Sequence, residues 1–387
     1  MKSVELFVGA GGLALGVGKA GFEPALVMDW DRWACDTLKD NKKRGLKEVE
    51  GWNIKQGDVA KADFRAYAGK VELVTGGPPC QPFSLGGLHR ANLDARDMFP
   101  QAIRAVREIQ PRAFMFENVK GLTRDTFRNY LEYIRLQLRH PEIQKSNDQT
   151  WADHLAELED YETEGEMAGL HYNVVMKVVN AANFGVPQRR ERVFIVGMRS
   201  DQHKAWHFPR ESHSREALLW SKWRSGDYWE RHEVAARDRV GDERERSRAM
   251  RIEEKPAGDP WVTVRDAISH LPDPELEASI ASGFHDHLFQ PGARSYPGHT
   301  GSPLDEPAKT LKAGVHGVPG GENMLRRPDG SVRYFTIRES ALIQTFPEKM
   351  TFKGSWTETM RQLGNAVPSH LAWKMAEQIK SCLQESA

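Results

Sequence analysis

Cysteine is scarce in this chain, with only Cys35, Cys80 and Cys382 among 387 residues. Three thiols so far apart build neither a disulfide framework nor a zinc site, and such usage fits a reducing cytosol. An excess of charge of one sign is also missing. Lys and Arg total 54, and so do Asp and Glu. No global basic field therefore marks a protein that coats nucleic acid, although a local basic cleft stays open. There is no apolar run long enough to span a bilayer. The chain opens on Val4-Glu5-Leu6-Phe7-Val8, a strand pattern rather than a basic leader. A soluble cytoplasmic protein is expected, with two domains or one large domain carrying an insertion.

The first part alternates short apolar runs with helical stretches, the signature of βαβ units around a mostly parallel sheet. Strands are expected at Val4–Val8, Ala25–Met28, Glu72–Thr75, Ala113–Phe116, Asn173–Val179 and Arg192–Val196. Helices are expected at Leu13–Ala20, Trp33–Asn41, Phe99–Ile109 and Thr126–Leu138. Near Ser200 the character changes. Arg, Glu, His and Trp crowd the stretch to about Pro256, and Phe284 to Asp329 is rich in Gly, Pro and His. This reads as a smaller second domain, after which the helix Leu371–Leu383 returns to the first.

Chemistry concentrates at a few motifs. Gly76-Gly77-Pro78-Pro79-Cys80-Gln81-Pro82-Phe83-Ser84 follows a buried-strand pattern. Its prolines stiffen the exit from the sheet and aim one thiol outward. A soft nucleophile held this way suits reversible addition to an electron-poor ring carbon, whereas a core cysteine would need no such loop. Upstream, Phe7-Val8-Gly9-Ala10-Gly11-Gly12 joins a strand to a helix, a turn that can bind a ligand or be merely a turn. Asp29, about twenty residues on, stands where a ribose hydroxyl pair is usually held. Trp30 could cover an adenine, and Asp58 could accept from its amino group. Glu117-Asn118-Val119 ends another strand. In Gln188-Arg189-Arg190-Glu191-Arg192, the residues Gln188, Arg190 and Arg192 share one face of an extended chain. Buried arginines need anions or carbonyl oxygens to meet.

The Pro-Pro-Cys loop resembles the active-site loop of the DNA (cytosine-5)-methyltransferases. The other motifs occur in that family's order, down to Gln362-Leu363-Gly364-Asn365-Ala366-Val367-Pro368. The resemblance covers roughly residues 1–199 and 331–377. It implies a Rossmann-like α/β methyltransferase domain, here 1–199 with 356–387, a target-recognition domain at 200–330 and a hinge at 331–355. It implies Cys80 as nucleophile, with Glu117, Arg190 and Arg192 holding the base. Of the two arginines, Arg190 takes the position that reaches the flipped base and the catalytic loop. S-adenosylmethionine would lie on Phe7, Gly9, Gly11, Gly12, Asp29, Trp30, Asp58, Val59, Pro79, Asn365 and Ala366. Gln81, Ser84, Gln188, Thr310 and Lys312 would touch double-stranded DNA. No metal is implied. The form resembles bacterial modification enzymes, which implies a cytoplasmic monomer beside a separate restriction endonuclease.

The middle of the chain should carry specificity. Trp206, Trp220, Trp223 and Trp229 lie among Lys222, Arg224 and Arg231, a mixture that could stack on bases or form helical surface pairs. Lys309, Lys312, Arg326, Arg327 and Arg333 are better candidates for reading a groove. His285-Asp286-His287 and His299 imitate a metal site but read as loop residues. The competing readings are an RNA cytosine methyltransferase on the same scaffold, a nicotinamide oxidoreductase that would leave Cys80 and Arg190 idle, and a silent DNA-binding relative.

Overall fold

The apolar runs of the first part become strands of a seven-stranded sheet in the computed structural model, which describes residues 1–79, 97–164, 169–202, 205–313 and 323–385. Two compact units are present. The first comprises Met1–Val179, Glu191–Pro209 and Trp373–Ala387, and the second Asn180–Arg190 and Arg210–Ala372.

In the first unit the elements are β1 (Lys2–Leu6), α1 (Gly12–Lys19), β2 (Glu23–Asp29), α2 (Arg32–Lys43), β3 (Ile54–Gln56), β4 (Leu73–Gly76), α3 (Phe99–Ile109), β5 (Ala113–Val119), α4 (Arg128–Arg139), α5 (Trp151–Glu164), β6 (Tyr172–Asn180) and β7 (Glu191–Arg199). The sheet order is β3-β2-β1-β4-β5-β7-β6. The pairs from β3 to β5 are parallel, and β7 runs antiparallel to β5. Between β1 and β4 the order reverses, and open α/β sheets bind ligands at such a switch point. Strands β4 and β5 are buried on both faces, so their sequences are continuous apolar runs rather than alternating ones. Val4, Leu6, Phe114 and Phe116 pack with Phe99 and Ile103 of α3 and Ile134 of α4. Helix α2 starts where Asp31 accepts from Ala34 N at 2.8 Å, and α3 stops at Gln110 with φ of 52°.

The second unit contains β8 (His213–Ser214), α6 (Arg215–Trp223), α7 (Asp227–Arg231), α8 (Glu243–Met250), β9 (Asp259–Pro260), α9 (Val264–Ile268), α10 (Ala278–Ala281), β10 (Ser302–Pro303), β11 (Met324–Arg326), β12 (Val332–Tyr334), α11 (Ile337–Ile343) and α12 (Trp356–Asn365). The last helix, α13 (Ser369–Glu385), belongs to the first unit from Trp373 onward. Strands β10, β11 and β12 form a small sheet. Val264, Leu311, Leu325, Phe335 and Ile343 form one core, and Leu218, Tyr228 and Trp229 another.

Several expectations shift. Strand β1 begins two residues earlier than its apolar run, and the short β3 and α5 were not anticipated. Residues 180–190 and 331–372, read from sequence as catalytic domain and hinge, pack with the second unit. They are held there by hydrogen bonds described below. Part of the tryptophan stretch is core, with Trp220 and Trp223 half-buried. Trp229 is fully buried and Trp206 nearly so. Lys222 is buried too, its Nζ between Glu245 and Glu306 and 5.5 Å from the Trp229 ring. Arg333 is buried on Glu339 at 2.6 Å, and Arg327 pairs with Asp273 at 3.0 Å and Glu275 at 2.7 Å. Neither arginine therefore faces outward as a groove reader. His287 Nε2 donates to Pro272 O at 2.8 Å, and its Nδ1 lies 2.9 Å from the Thr336 hydroxyl. No metal-holding cluster occurs among the described residues.

Candidate active site

The carboxyl ends of β1, β2 and β3 are tied together by main-chain groups. Val8 N donates to Met28 O at 3.3 Å and Gly57 N to Asp29 O at 2.8 Å. The Asp29 carboxylate accepts from Gly9 N at 2.7 Å through one oxygen and from Asp31 N at 2.8 Å through the other. It thereby shapes the glycine turn, and since a carboxylate offers about four acceptor directions, it keeps capacity for a ligand hydroxyl. Burial pushes its pKa up, while the two N–H groups pull it down. Gly9 (φ 54°) has open space where a side chain would be, and Gly11 (φ 94°) sits so close to α2 that a Cβ would lie 2.9 Å from Leu38. Both features need glycine. Phe7 also adopts positive φ, at 53°. Gly11 caps α1 without a side-chain bond, which leaves the helix N–H groups for an anion. Trp30 is 78% exposed beside this turn.

Asp58 begins a short turn by accepting from Ala60 N at 2.9 Å. The Val59 side chain is in the core, and its carbonyl takes Arg104 Nη2 at 2.7 Å. Asp29 and Asp58 at the carboxyl ends of neighbouring strands, together with a helix start open to an anion, suit an adenosine-like ligand with an acidic tail.

The next strand ends form a second cluster. Asn118 Nδ2 donates to Pro78 O at 2.9 Å, which fixes the start of the Pro-Pro-Cys loop to β5. A Cβ on Gly77 would lie 3.5 Å from Glu117 Oε2, so the loop leaves the sheet beside that carboxylate. Met98 N donates to Pro79 O at 3.0 Å, which closes the loop's base. Asp97 accepts from Phe99 N at 3.1 Å and from the Tyr130 hydroxyl. Cys80, Gln81 and Ser84 lie outside the described residues.

In the antiparallel β5–β7 ladder Arg192 stands opposite Val119, diagonal to Glu117 and on its face. Arg192 Nε pairs with Glu117 Oε1 at 2.9 Å, with side chains 13% and 9% exposed. Burial lowers the pKa of Arg192, and Glu117 opposes that shift. Arg192 is thus the arginine on Glu117.

Arg190 lies in the second unit, fully buried, and its fork donates to Leu311 O at 3.0 Å and Gly364 O at 2.8 Å. The sequence put Arg190 ahead of Arg192 at the base. The strand alternation that set them on one face did not tell which would meet a carboxylate and which carbonyl oxygens. Gln188, also fully buried, accepts from Leu311 N at 3.0 Å and donates to Gln344 Oε1 at 3.0 Å. Its amide is therefore committed within the protein. Thr310 Oγ1 donates to Arg189 O at 2.7 Å, and Lys312 is exposed. Asn365 and Ala366 close α12 in this same unit.

Gln344 opens Gln344-Thr345-Phe346-Pro347, a stretch that resembles the family's segment tying the small domain to the large one. Its amide nitrogen donates to Leu363 O and, at 3.3 Å, to Ala366 O. The residue after it, Thr345, has φ of 58°. For a β-branched side chain that is a strained conformation, costing on the order of 1–3 kcal/mol.

The family model for C-5 cytosine-specific DNA methylases matches residues 1–141 and 152–381. The chain belongs to that family. This methylase is 33% identical over 384 residues to the Type II methyltransferase M.PspPI of Psychrobacter sp. (strain TA137), covering 97% of this chain and 78% of the relative. It is 28% identical over 392 residues to the Type II methyltransferase M.Eco47II of Escherichia coli, covering 99% and 79%. Among solved structures it resembles the S. pombe Dnmt2 methyltransferase, with TM-score 0.52, 17% identity and coverage of 100% and 98%. That likeness supports the methyltransferase fold alone. The methylase is a DNA cytosine-5 methyltransferase. Among its described residues, no helix is long and apolar enough to cross a membrane.

Proposed function

We propose that this methylase uses Cys80 as a covalent nucleophile on a cytosine extruded from duplex DNA, with S-adenosylmethionine as methyl donor. The observation that supports the reading is the Asn118–Pro78 bond, which holds the residues just before Cys80 at the end of β5, next to Glu117. The base must leave the stack because its ring carbon 6 cannot be reached inside a duplex. The Cys80 thiolate adds to carbon 6, and the displaced electron pair is drawn toward ring nitrogen 3, where Glu117 shares a proton. Glu117 also accepts from the exocyclic amine, and Arg192 holds the carboxylate in place. When bound, the donor supplies an electrophilic methyl group to carbon 5. Removal of the carbon 5 proton then restores the ring double bond as the Cys80–carbon 6 bond breaks.

The donor's adenosine would rest on Phe7, Trp30, Asp29 and Asp58, with its amino-acid end at Gly9, Gly11 and Gly12. Asn365 and Ala366 keep the donor contacts that the family resemblance gives them, and Pro79 lies on the same loop as the nucleophile. Gln81, Ser84, Thr310 and Lys312 are proposed DNA contacts, while Gln188 and Arg190 position Leu311. The relatives' names as Type II methyltransferases support a modification enzyme, here proposed as a cytoplasmic monomer acting apart from any restriction endonuclease.

The test is expression in a host free of cytosine methylation, followed by base-resolution mapping of 5-methylcytosine. Methylation confined to one short sequence is expected, together with its loss in Cys80→Ala. Unmodified DNA alongside methylated RNA would move the substrate to RNA. A Cys80→Ala variant that still methylates would remove the covalent step.

A further inference from the structure

We propose that Lys120 and Glu191 are a positioning pair for methyl transfer, holding the end of β5 on β7 so that Glu117 and Asn118 keep their places during the reaction. The proposal rests on reading Glu117 as the group that holds the base.

Strand β5 loses one of its two neighbours before it reaches the chemistry. Its pairing with β4 ends at Gly76 opposite Phe116. Its pairing with β7 runs on, with Glu117 opposite Phe194, Asn118 opposite Val193 and Val119 opposite Arg192. Glu117 and Asn118 therefore sit on a two-stranded ribbon, which twists more than a wider sheet and is marginally stable by itself. Both halves of the proposed chemistry hang from this ribbon. One is the Glu117 carboxylate, and the other is the Asn118 amide that holds Pro78 O.

Side chains tie the two strands together on both faces. On one face Arg192 Nε meets Glu117 Oε1 at 2.9 Å, while Arg192 Nη1 donates to Glu191 O at 2.8 Å. Glu191, next in sequence, points to the other face. There its two carboxylate oxygens accept from Lys120 Nζ at 3.0 and 2.9 Å. Lys120 directly follows the last ladder residue of β5 and is fixed by its own turn. Its carbonyl accepts from Thr123 Oγ1 at 2.9 Å, and Leu122 is fully buried. The contacts close a ring, from Glu117 to Arg192 to Glu191 to Lys120 and back along β5. Arg192 is set against the Glu191 main chain, so a Glu191 released from Lys120 loosens the hold on Glu117. The Lys120 and Glu191 side chains are 56% and 51% exposed. An ion pair so exposed adds little to folding stability, whereas a small misplacement of a catalytic group is costly in rate.

Single-turnover methylation of a duplex carrying the mapped target, with saturating S-adenosylmethionine, tests the pair. Lys120→Met should lower the rate at saturating DNA by about five- to twentyfold. The half-saturating DNA concentration should stay within about twofold of wild type, and the melting temperature within about 2 °C. Glu191→Gln should behave alike, and the double variant should be no slower than the slower single one. Lys120→Arg, which keeps charge and reach, should stay within about twofold of wild type in rate. Rate losses that multiply in the double variant would overturn the proposal. So would weaker DNA binding in Lys120→Met at an unchanged saturated rate, with tighter binding in Glu191→Gln, since Lys120 would then be a phosphate contact. A wild-type chain that methylates no DNA, or a Glu117→Gln variant as active as wild type, would remove the functional reading and the pair's role with it.

Discussion

Arg190 and Arg192 differ by two positions and have different work. Arg192 meets a carboxylate at the end of β5, and Arg190 meets two carbonyl oxygens in the second unit. Arg192→Lys should keep the charge but lose the planar fork, lowering kcat by about ten- to a hundredfold with the melting temperature nearly unchanged. Arg190→Ala should instead lower stability by about 2–4 kcal/mol, because it strands two buried carbonyls and leaves a cavity. Steady-state kinetics beside thermal melting separate the two. Glu5 gives a second prediction at this scale. It is buried in β1 under a bond from the Thr75 hydroxyl, and burial raises its pKa from 4.5 to about 7. Between those values the folded chain keeps a proton that the unfolded chain has released, so stability falls as pH rises and levels off above about 7. Glu5→Gln should flatten this slope and exceed wild type by about 1–3 kcal/mol at pH 8, read from denaturant midpoints at pH 5 and 8. A parallel pH dependence in both proteins would remove Glu5 as its source.

At the scale of elements, the α6–α8 pair is built on an ion cluster. Lys222 of α6 lies between Glu245 of α8 and Glu306. Glu306 is raised by its burial and further by Glu245, with Lys222 opposing. Lys222→Met would leave two acids facing each other and should destabilise the second unit by about 3–5 kcal/mol at pH 8, with part of that recovered near pH 5. Unfolding followed by tryptophan emission would report it, since Trp223 and Trp229 pack in this core. This cluster also marks where sequence reading stops. Strands β4 and β5 were legible because burial on both faces writes an unbroken apolar run, and the glycine turn because Gly9 and Gly11 need positive φ. By contrast, β3 is three half-buried or exposed residues, Ile54-Lys55-Gln56, with no pattern to read. The interleaved Trp and Lys looked alike whether facing solvent or each other. Gln344 was marked only through the family resemblance of Gln344-Thr345-Phe346-Pro347, because an uncharged amide carries no spacing signal that would name its buried partners.

For the molecule as a whole, the two units have separate apolar cores. Urea unfolding should therefore depart from a single two-state transition, with midpoints by tryptophan emission and far-UV circular dichroism that do not coincide. Superimposable curves would mean that the cores melt together. The chain passes between the units at 179–180, 190–191, 209–210 and 372–373, so the second unit takes in a short early piece as well as a long late one. That division bears on anyone wishing to exchange target specificity between relatives. A cassette cut at 210–330 would sever Gln188 and Arg190 from the Leu311 they were matched to, and would set a foreign loop on Gly364. The exchangeable module is discontinuous. Residues 180–190 must travel with 210–372, or the donor sequence must keep the host's Ala308–Ala313.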